Sequence, residues 1–200
     1  MPPRLAIRAG ALCLLGALLP VGVLGAVAAA GNHKVDSGKA TLTYDSGFHN
    51  RLSQAHVTLT PKKPAKSASI APGGVIFPAS GGTLTSSNGS LTGNISFSGA
   101  LRISQARGSS FNISKAHFTI TGSNSGALRG FALHTIAETI ASASFSTPPK
   151  ATLKPGATVT IPRATLALTS VSAQELDGEF GTHFSAGTVL GTARLTVKVK

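Results

Sequence analysis

Arg163–Lys200 reads RATLALTSVSAQELDGEFGTHFSAGTVLGTARLTVKVK. Ala164, Leu166 and Leu168 alternate with Arg163, Thr165 and Ala167, the period-two pattern of a half-buried strand. The period then changes. Ala173, Leu176 and Phe180 fall at helical spacing, and Ser172 with Glu175 three residues later predicts a capping box at the helix start. Gly181 is placed to stop that helix. After His183-Phe184 and Gly187, Ala193, Leu195, Val197 and Val199 alternate with Arg194, Thr196, Lys198 and Lys200. This stretch predicts strand, short helix, aromatic turn and long final strand.

The opening of the chain is a weaker copy. Residues 39–52, KATLTYDSGFHNRL, set on RATLALTSVSAQEL, pair Ala40 with Ala164, Leu42 with Leu166 and Leu52 with Leu176. Ala40, Leu42 and Tyr44 share one strand face. Asp45 is placed to cap a short helix that carries Phe48 and Leu52 four residues apart. Between the two copies, short apolar alternations recur with glycine turns. They cover 56–60 (with His56 outward), 75–78, 81–85, 91–97, 101–104, 111–114, 116–120, 128–134, 135–146 and 157–161. In 135–146, AETIASA also fits a helix. Many short strands with glycine turns predict an all-β, single-domain antiparallel sandwich or barrel-like sandwich with two short helices.

Residues 1–30 read as a signal peptide. Arg4 and Arg8 precede an uncharged run from Ala9 to Ala30, and Ala28 and Ala30 fit small-residue cleavage positions. A membrane-spanning anchor is the rival reading, since the run is about long enough; Pro20, four glycines and the alanine-rich end favour cleavage. Residues 31–37 are expected to be a flexible N-terminus and 38–200 the β-rich domain. Cys13, the sole cysteine, lies in the signal, so no disulfide or cysteine-ligated metal is expected in the exported part. Of the 18 Lys and Arg, Arg4 and Arg8 lie in the signal, which leaves 16 against 6 acids. Such a surface attracts polyanions. Scattered charge and few aromatics argue against a nucleic-acid partner.

No nucleophile elbow, phosphate loop, zinc-protease helix or dinucleotide fingerprint is present. The expectation is a non-enzyme with no catalytic residues and no metal site. Glu175 and Glu179 are four apart on what reads as a solvent face of the closing helix. His49 and His183 stand beside Phe48 and Phe184 at corners, where they could line a pocket. Tyr44, the sole tyrosine, reads as a core residue, and phenolate oxygen can also bind ferric haem iron. Lys62, Lys63 and Lys66, with Lys150 and Lys154, form two basic proline-containing loops. Their functional reading is polyanion binding, and their bland one a solvated connector.

The opening ATLTYDSGF, the central FSGALRISQARGSSFNIS followed by AHFTIT, and the closing FGTHFSAGTVLGTARLTV resemble exported actinobacterial proteins of the HtaA-like type. That resemblance implies a β-rich domain outside the membrane or at the cell wall, with haem as ligand. The haem-binding pattern sets a tyrosine a few residues after the opening phenylalanine and a histidine in the central hairpin turn. Here His49, Asn50, Arg51 and Leu52 follow Phe48, and the turn holds Gln105, Ala106, Arg107 and Gly108. Tyr44, Phe48 and His49 flank the same corner and are the candidate haem-binding residues. The expected function is a secreted or cell-surface, non-enzymatic binding protein with haem as cofactor candidate. The alternative is a wall-associated protein that holds anionic polymer through its basic loops. Membrane contact is expected only through an uncleaved signal.

Overall fold

The alternation of the closing strand marks the inside of a barrel. The computed structural model describes residues 31–106, 108–131 and 137–200. The expected signal peptide, Arg107 and His134 lie outside them. In order, the elements are β1 (Gly31–Tyr44), α1 (Ser46–Gln54), β2 (Val57–Lys62), β3 (Lys66–Ser67), β4 (Gly74–Ser87), β5 (Ser90–Phe97), β6 (Ala100–Gln105), β7 (Ser110–Thr121), β8 (Ser125–Phe131), β9 (Ala137–Phe145), β10 (Thr158–Leu168), α2 (Ser170–Phe180) and β11 (Val189–Val199).

Strands β4, β1, β11, β10, β9, β8, β7 and β5 pair in that order, all antiparallel, and β5 returns to β4. The β7–β8 pairing closes the ring, so the architecture is a barrel. Closure removes the sheet edges that an open sandwich would expose. Leu195, Val197, Val199 and Ile161 point inward and are fully buried, while Arg194, Lys198 and Lys200 point out. Each such inward aliphatic side chain contributes about 2 kcal/mol by leaving water. Phe118 and Phe145 meet edge to face inside, 6.1 Å apart.

Several local expectations change in the barrel. Residues 31–37, expected to be flexible, are the first half of β1. Asn32, His33 and Lys34 pair with Thr85, Leu84 and Thr83, and Lys34 exchanges backbone hydrogen bonds with Lys200. The neighbouring strands that hold them are distant in sequence. The segments 75–78 and 81–85 are one strand, β4, joined through a register shift between Ala79 and Gly81. Likewise 111–114 and 116–120 are one strand, β7, with an irregularity between Ser114 and His117. His56 does not begin a strand: it is a left-handed residue (φ 55) that links α1 to β2. AETIASA is extended, as β9.

The two strand–helix copies flank the same strand. β1 and β10 both pair antiparallel with β11 and both pass into their helices where β11 begins. There, the Asp45 N–H donates to the Leu190 carbonyl (3.0 Å) and the Leu168 N–H to the Thr188 carbonyl (2.9 Å). Both helices therefore lie at one end of the barrel. Asp45 caps α1 as expected, its Oδ1 accepting from the backbone N–H groups of Gly47 (2.8 Å) and Phe48 (3.2 Å). Gly181 ends α2 in the left-handed conformation, φ 63.

The cap of α2 differs from the sequence expectation. It is Thr169, whose Oγ1 accepts from the Ser172 N–H (3.2 Å) and donates to the Thr139 carbonyl (2.9 Å). Ser172 lies inside the first turn and faces the core. Thr169→Ala is expected to cost about 1.5 kcal/mol, because it frees both a helix N–H and a strand carbonyl. Urea unfolding should show the midpoint falling with an unchanged slope.

Candidate functional site: an orphaned phenol beside a surface groove

Tyr44 is the last residue of β1 and shares the inward face with Ala40 and Leu42. Its N–H donates to the Gly73 carbonyl at 3.0 Å, and its ring packs near the Gly73 backbone. Its hydroxyl is buried and has no hydrogen-bond partner among the described residues. A buried hydroxyl left unpaired costs about 1–3 kcal/mol.

The phenol stands between two spaces. Inside is an apolar cavity of about 50 Å³, lined by Leu42, Phe48, Phe77, Phe111, Leu168 and Leu176, with Ser172 and Glu175 also on its wall. Outside is a groove of about 330 Å³, lined by Tyr44, His49, Leu52, Val57, Ala68 and Gly73 among others. The groove's walls include residues of β2 and β3; among the described residues β2 pairs only with β6 and β3 only with β4. The groove lies between these two edges, outside the closed ring and beside Tyr44.

Helix α1 sets the remaining side chains. Phe48 and Leu52 turn inward on its buried face, and Phe48 stacks on Phe184 with centroids 4.9 Å apart. His49, one position round, is half-buried in the groove. Its ring lies parallel to that of Tyr44, with an interplanar angle of 3° and centroids 6.4 Å apart. Arg51 lies over Phe184 at 5.9 Å and reaches the His183 carbonyl at 3.4 Å, which ties α1 to the loop before β11.

Tyr44, Phe48 and His49 are thus brought together. His183 is not part of this group: its side chain is 90% exposed, and its backbone N–H donates to Asp177 Oδ1 at 2.6 Å. The two basic loops are also apart. Lys62 pairs with Ala100 just beyond one end of β5, whereas Lys150 bridges to Ser90 at the other. The eight residues of β5 place them about 25 Å from each other. Among the described residues no cluster of three metal-ligating side chains occurs.

Glu175, expected on a solvent face, instead lines the cavity with Ser172. The sequence carries a signal for Ser172, which precedes Leu176 by four residues and so shares the buried face of α2. The contribution of Phe111 and Ile103 from the central hairpin has no such signal. It depends on how that hairpin folds over the barrel end.

Burial pushes the Tyr44 pKa well above its ordinary value by removing the hydroxyl from water. An unfolded chain loses this proton near pH 10, while the folded chain still holds it. The folded state therefore binds more protons above that pH, and stability falls as pH rises. As Tyr44 is the only tyrosine and there is no tryptophan, its phenolate absorbance reports it alone. In alkaline titration the band is expected to stay absent past about pH 10 and then to appear together with loss of the β-sheet circular dichroism. Smooth ionisation of a protein that stays folded would contradict the burial.

This fold, a closed antiparallel barrel with two helices at one end, is shared with solved HtaA domains. Over 84% of this chain and 99% of its own length, the C-terminal domain of HtaA from Corynebacterium glutamicum superposes with a TM-score of 0.62 at 17% identity. The N-terminal domain of the same HtaA gives 0.62 at 16% identity, over 83% of this chain and 98% of that one. The heme binding protein HtaB of that organism gives 0.57 at 15% identity, over 86% of this chain and 96% of that one. No protein-family model and no curated protein matches the chain in sequence. At these identities the likeness is one of fold.

Proposed function

We propose that this chain is an exported, non-enzymatic binding barrel whose ligand is haem, taken up at the corner of Tyr44, Phe48 and His49. The observation that carries the reading is the orphaned Tyr44 hydroxyl, buried at an apolar wall beside the groove. Phenolate oxygen is a ligand of ferric haem iron. The residue set suits such a group: one phenol that becomes an anionic oxygen donor on losing its proton, apolar contacts from Leu52 and Val57, and an imidazole, His49, in the same groove.

Size directs the ligand to the groove. Pockets for molecules of that class are roughly 300–1,000 Å³. The cavity of about 50 Å³ is too small, whereas the groove of about 330 Å³ lies in the range. The Tyr44 hydroxyl is closed off from the groove, so binding requires its ring to turn outward from its place beside Phe48. The phenol must give up its proton to bind a cation, against the desolvation that keeps it neutral in the empty protein. Affinity should consequently rise with pH.

Titration of the purified protein, without its first 30 residues, with hemin tests this. A stoichiometric Soret shift is expected, weakened about 100-fold in Tyr44→Phe, roughly the loss of one strong ligand bond. Free-hemin spectra throughout, or equal binding by Tyr44→Phe, would sink the haem reading. Export through the N-terminal segment is tested separately, by N-terminal sequencing of the protein recovered outside the cell.

A further inference from the structure

The outer face of the barrel, on the other side of the wall from the cavity, carries a second groove. It measures about 400 Å³ and is lined by Lys39, Thr41 and Thr43 of β1, Arg163 of β10, Thr192, Arg194 and Thr196 of β11, and Ile70. None of the six acids of the chain lines it. Asp36 pairs with Lys200, Asp45 caps α1, Asp177 holds the His183 backbone, and Glu175 faces the cavity.

The cations are placed together by a bulge. Ile161 pairs with Leu195 and Ala164 with Ala193, so Pro162 and Arg163 together oppose the single residue Arg194. A bulge re-aims a side chain and interrupts the ladder. Here it sets Arg163 beside Arg194 on the same outer face. Lys39 pairs with Thr196, two residues from Arg194, and is therefore its diagonal neighbour, about 7–8 Å away. Like charges on neighbouring strands destabilise a sheet. None of these three cations has an ion pair or side-chain hydrogen bond among the described residues. Among the described residues nothing offsets their repulsion, and a bound anion would.

The cationic row continues across the sheet. Lys66 pairs with Ile76, Ile76 with Thr41, and Thr41 with Arg194, so all point the same way. From Arg163 to Lys66 is four strand steps, about 19 Å. Threonine hydroxyls stand between the cations as further donors.

We infer that this outer groove is a binding site for an anion made of linked phosphates, held by Lys39, Arg163 and Arg194 and extending towards Lys66. It is independent of the Tyr44 corner, which lies on the inner face of the same strands. A cleft of one charge sign concentrates a polyanion, and arginine pairs with phosphate oxygens in a bidentate way.

Isothermal titration of the protein with inorganic tripolyphosphate, at low salt and in a phosphate-free buffer, tests the site. Saturable one-to-one binding is expected. Arg163→Gln and Arg194→Gln should each weaken it about tenfold, the usual worth of one charge-assisted contact. The double variant should abolish it, with a circular dichroism spectrum like the wild type's. Arg102→Gln with Arg129→Gln removes the same charge from exposed positions of β6 and β8 outside the groove and should leave affinity nearly unchanged. Equal losses in the control and groove variants would reduce the effect to net charge and overturn the site, as would the absence of saturation. Vesicles of phosphatidylcholine with and without phosphatidylglycerol form the second arm. Vesicle binding that the groove variants weaken, without tripolyphosphate binding, would assign the face to a lipid surface and overturn the linked-phosphate proposal.

Discussion

Gly191→Ala is expected to destabilise the barrel by about 3 kcal/mol, the joint cost of a strained backbone and a steric clash. Gly191 pairs with Tyr44, at the point where β11 meets the end of β1. Its φ is 154, and an added Cβ would stand against the Thr43 carbonyl oxygen and 3.0 Å from the Tyr44 Cα. These are backbone atoms, so no rotamer change relieves the contact. Either β1 moves away from β11, which breaks the ladder that carries Tyr44, or the strain is retained. At roughly 2–4 °C per kcal/mol for a domain of this size, the melting temperature should fall by about 10 °C. Gly178→Ala is the matched control. Gly178 lies in α2 with nothing within 4 Å of an added Cβ, so the same change should stabilise by about 0.5–1 kcal/mol. Equal melting temperatures for the two variants would refute the close approach of β1 and β11.

Phe48→Ala should have a similar or larger effect, about 3–5 kcal/mol. Phe48 is 4% exposed, stacks on Phe184, tilts against Tyr44 at 6.5 Å and lines the cavity. It is one of two buried side chains that hold the nine-residue α1 to the barrel, the other being Leu52. A helix of that length is not stable alone in water. Removal of the ring should therefore loosen α1 as a unit and open the Tyr44 corner. Hydrogen exchange of the α1 amides should quicken well before that of β11. Arg51→Ala also touches Phe184 but from the exposed side, and should cost no more than about 1 kcal/mol. If the two substitutions proved equal, the packing of Phe48 would not be what retains the helix.

Much of the Tyr44 corner is legible in the amino-acid sequence. The alternation Ala40, Leu42, Tyr44 places the phenol inward, because a strand reverses its face at each residue. Asp45 marks the start of α1, and the spacing of Phe48 and Leu52 marks its buried face; both hold in the barrel. His183 misleads because it adjoins Phe184. Neighbours in a turn point in different directions, and here the phenylalanine goes in and the histidine out. The cap of α2 misleads because Thr169, Ser170 and Ser172 are all capping residue types. The choice among them depends on the Thr139 carbonyl of a strand some thirty residues away.

The basic residues show the same limit. The sequence draws the eye to Lys62, Lys63 and Lys66, which are close together in the chain, and to Lys150 and Lys154. Arg163 and Arg194 are thirty-one positions apart, Lys39 is farther still, and yet they share a groove.

By itself the sequence determined what depends on near neighbours: which of the apolar alternations are strand, where α1 begins and α2 ends, which face of each helix is apolar, and that Tyr44 points inward. Periodicity and capping are local chemistry and need no partner. The tertiary structure alone decided that the sheet closes through β7 and β8, that both helices lie at one end, that a groove forms beside Tyr44, and that a bulge sets Arg163 against Arg194. Each of these depends on the pairing register between strands far apart in the chain, and a one-residue slip would turn every one of those side chains to the other face.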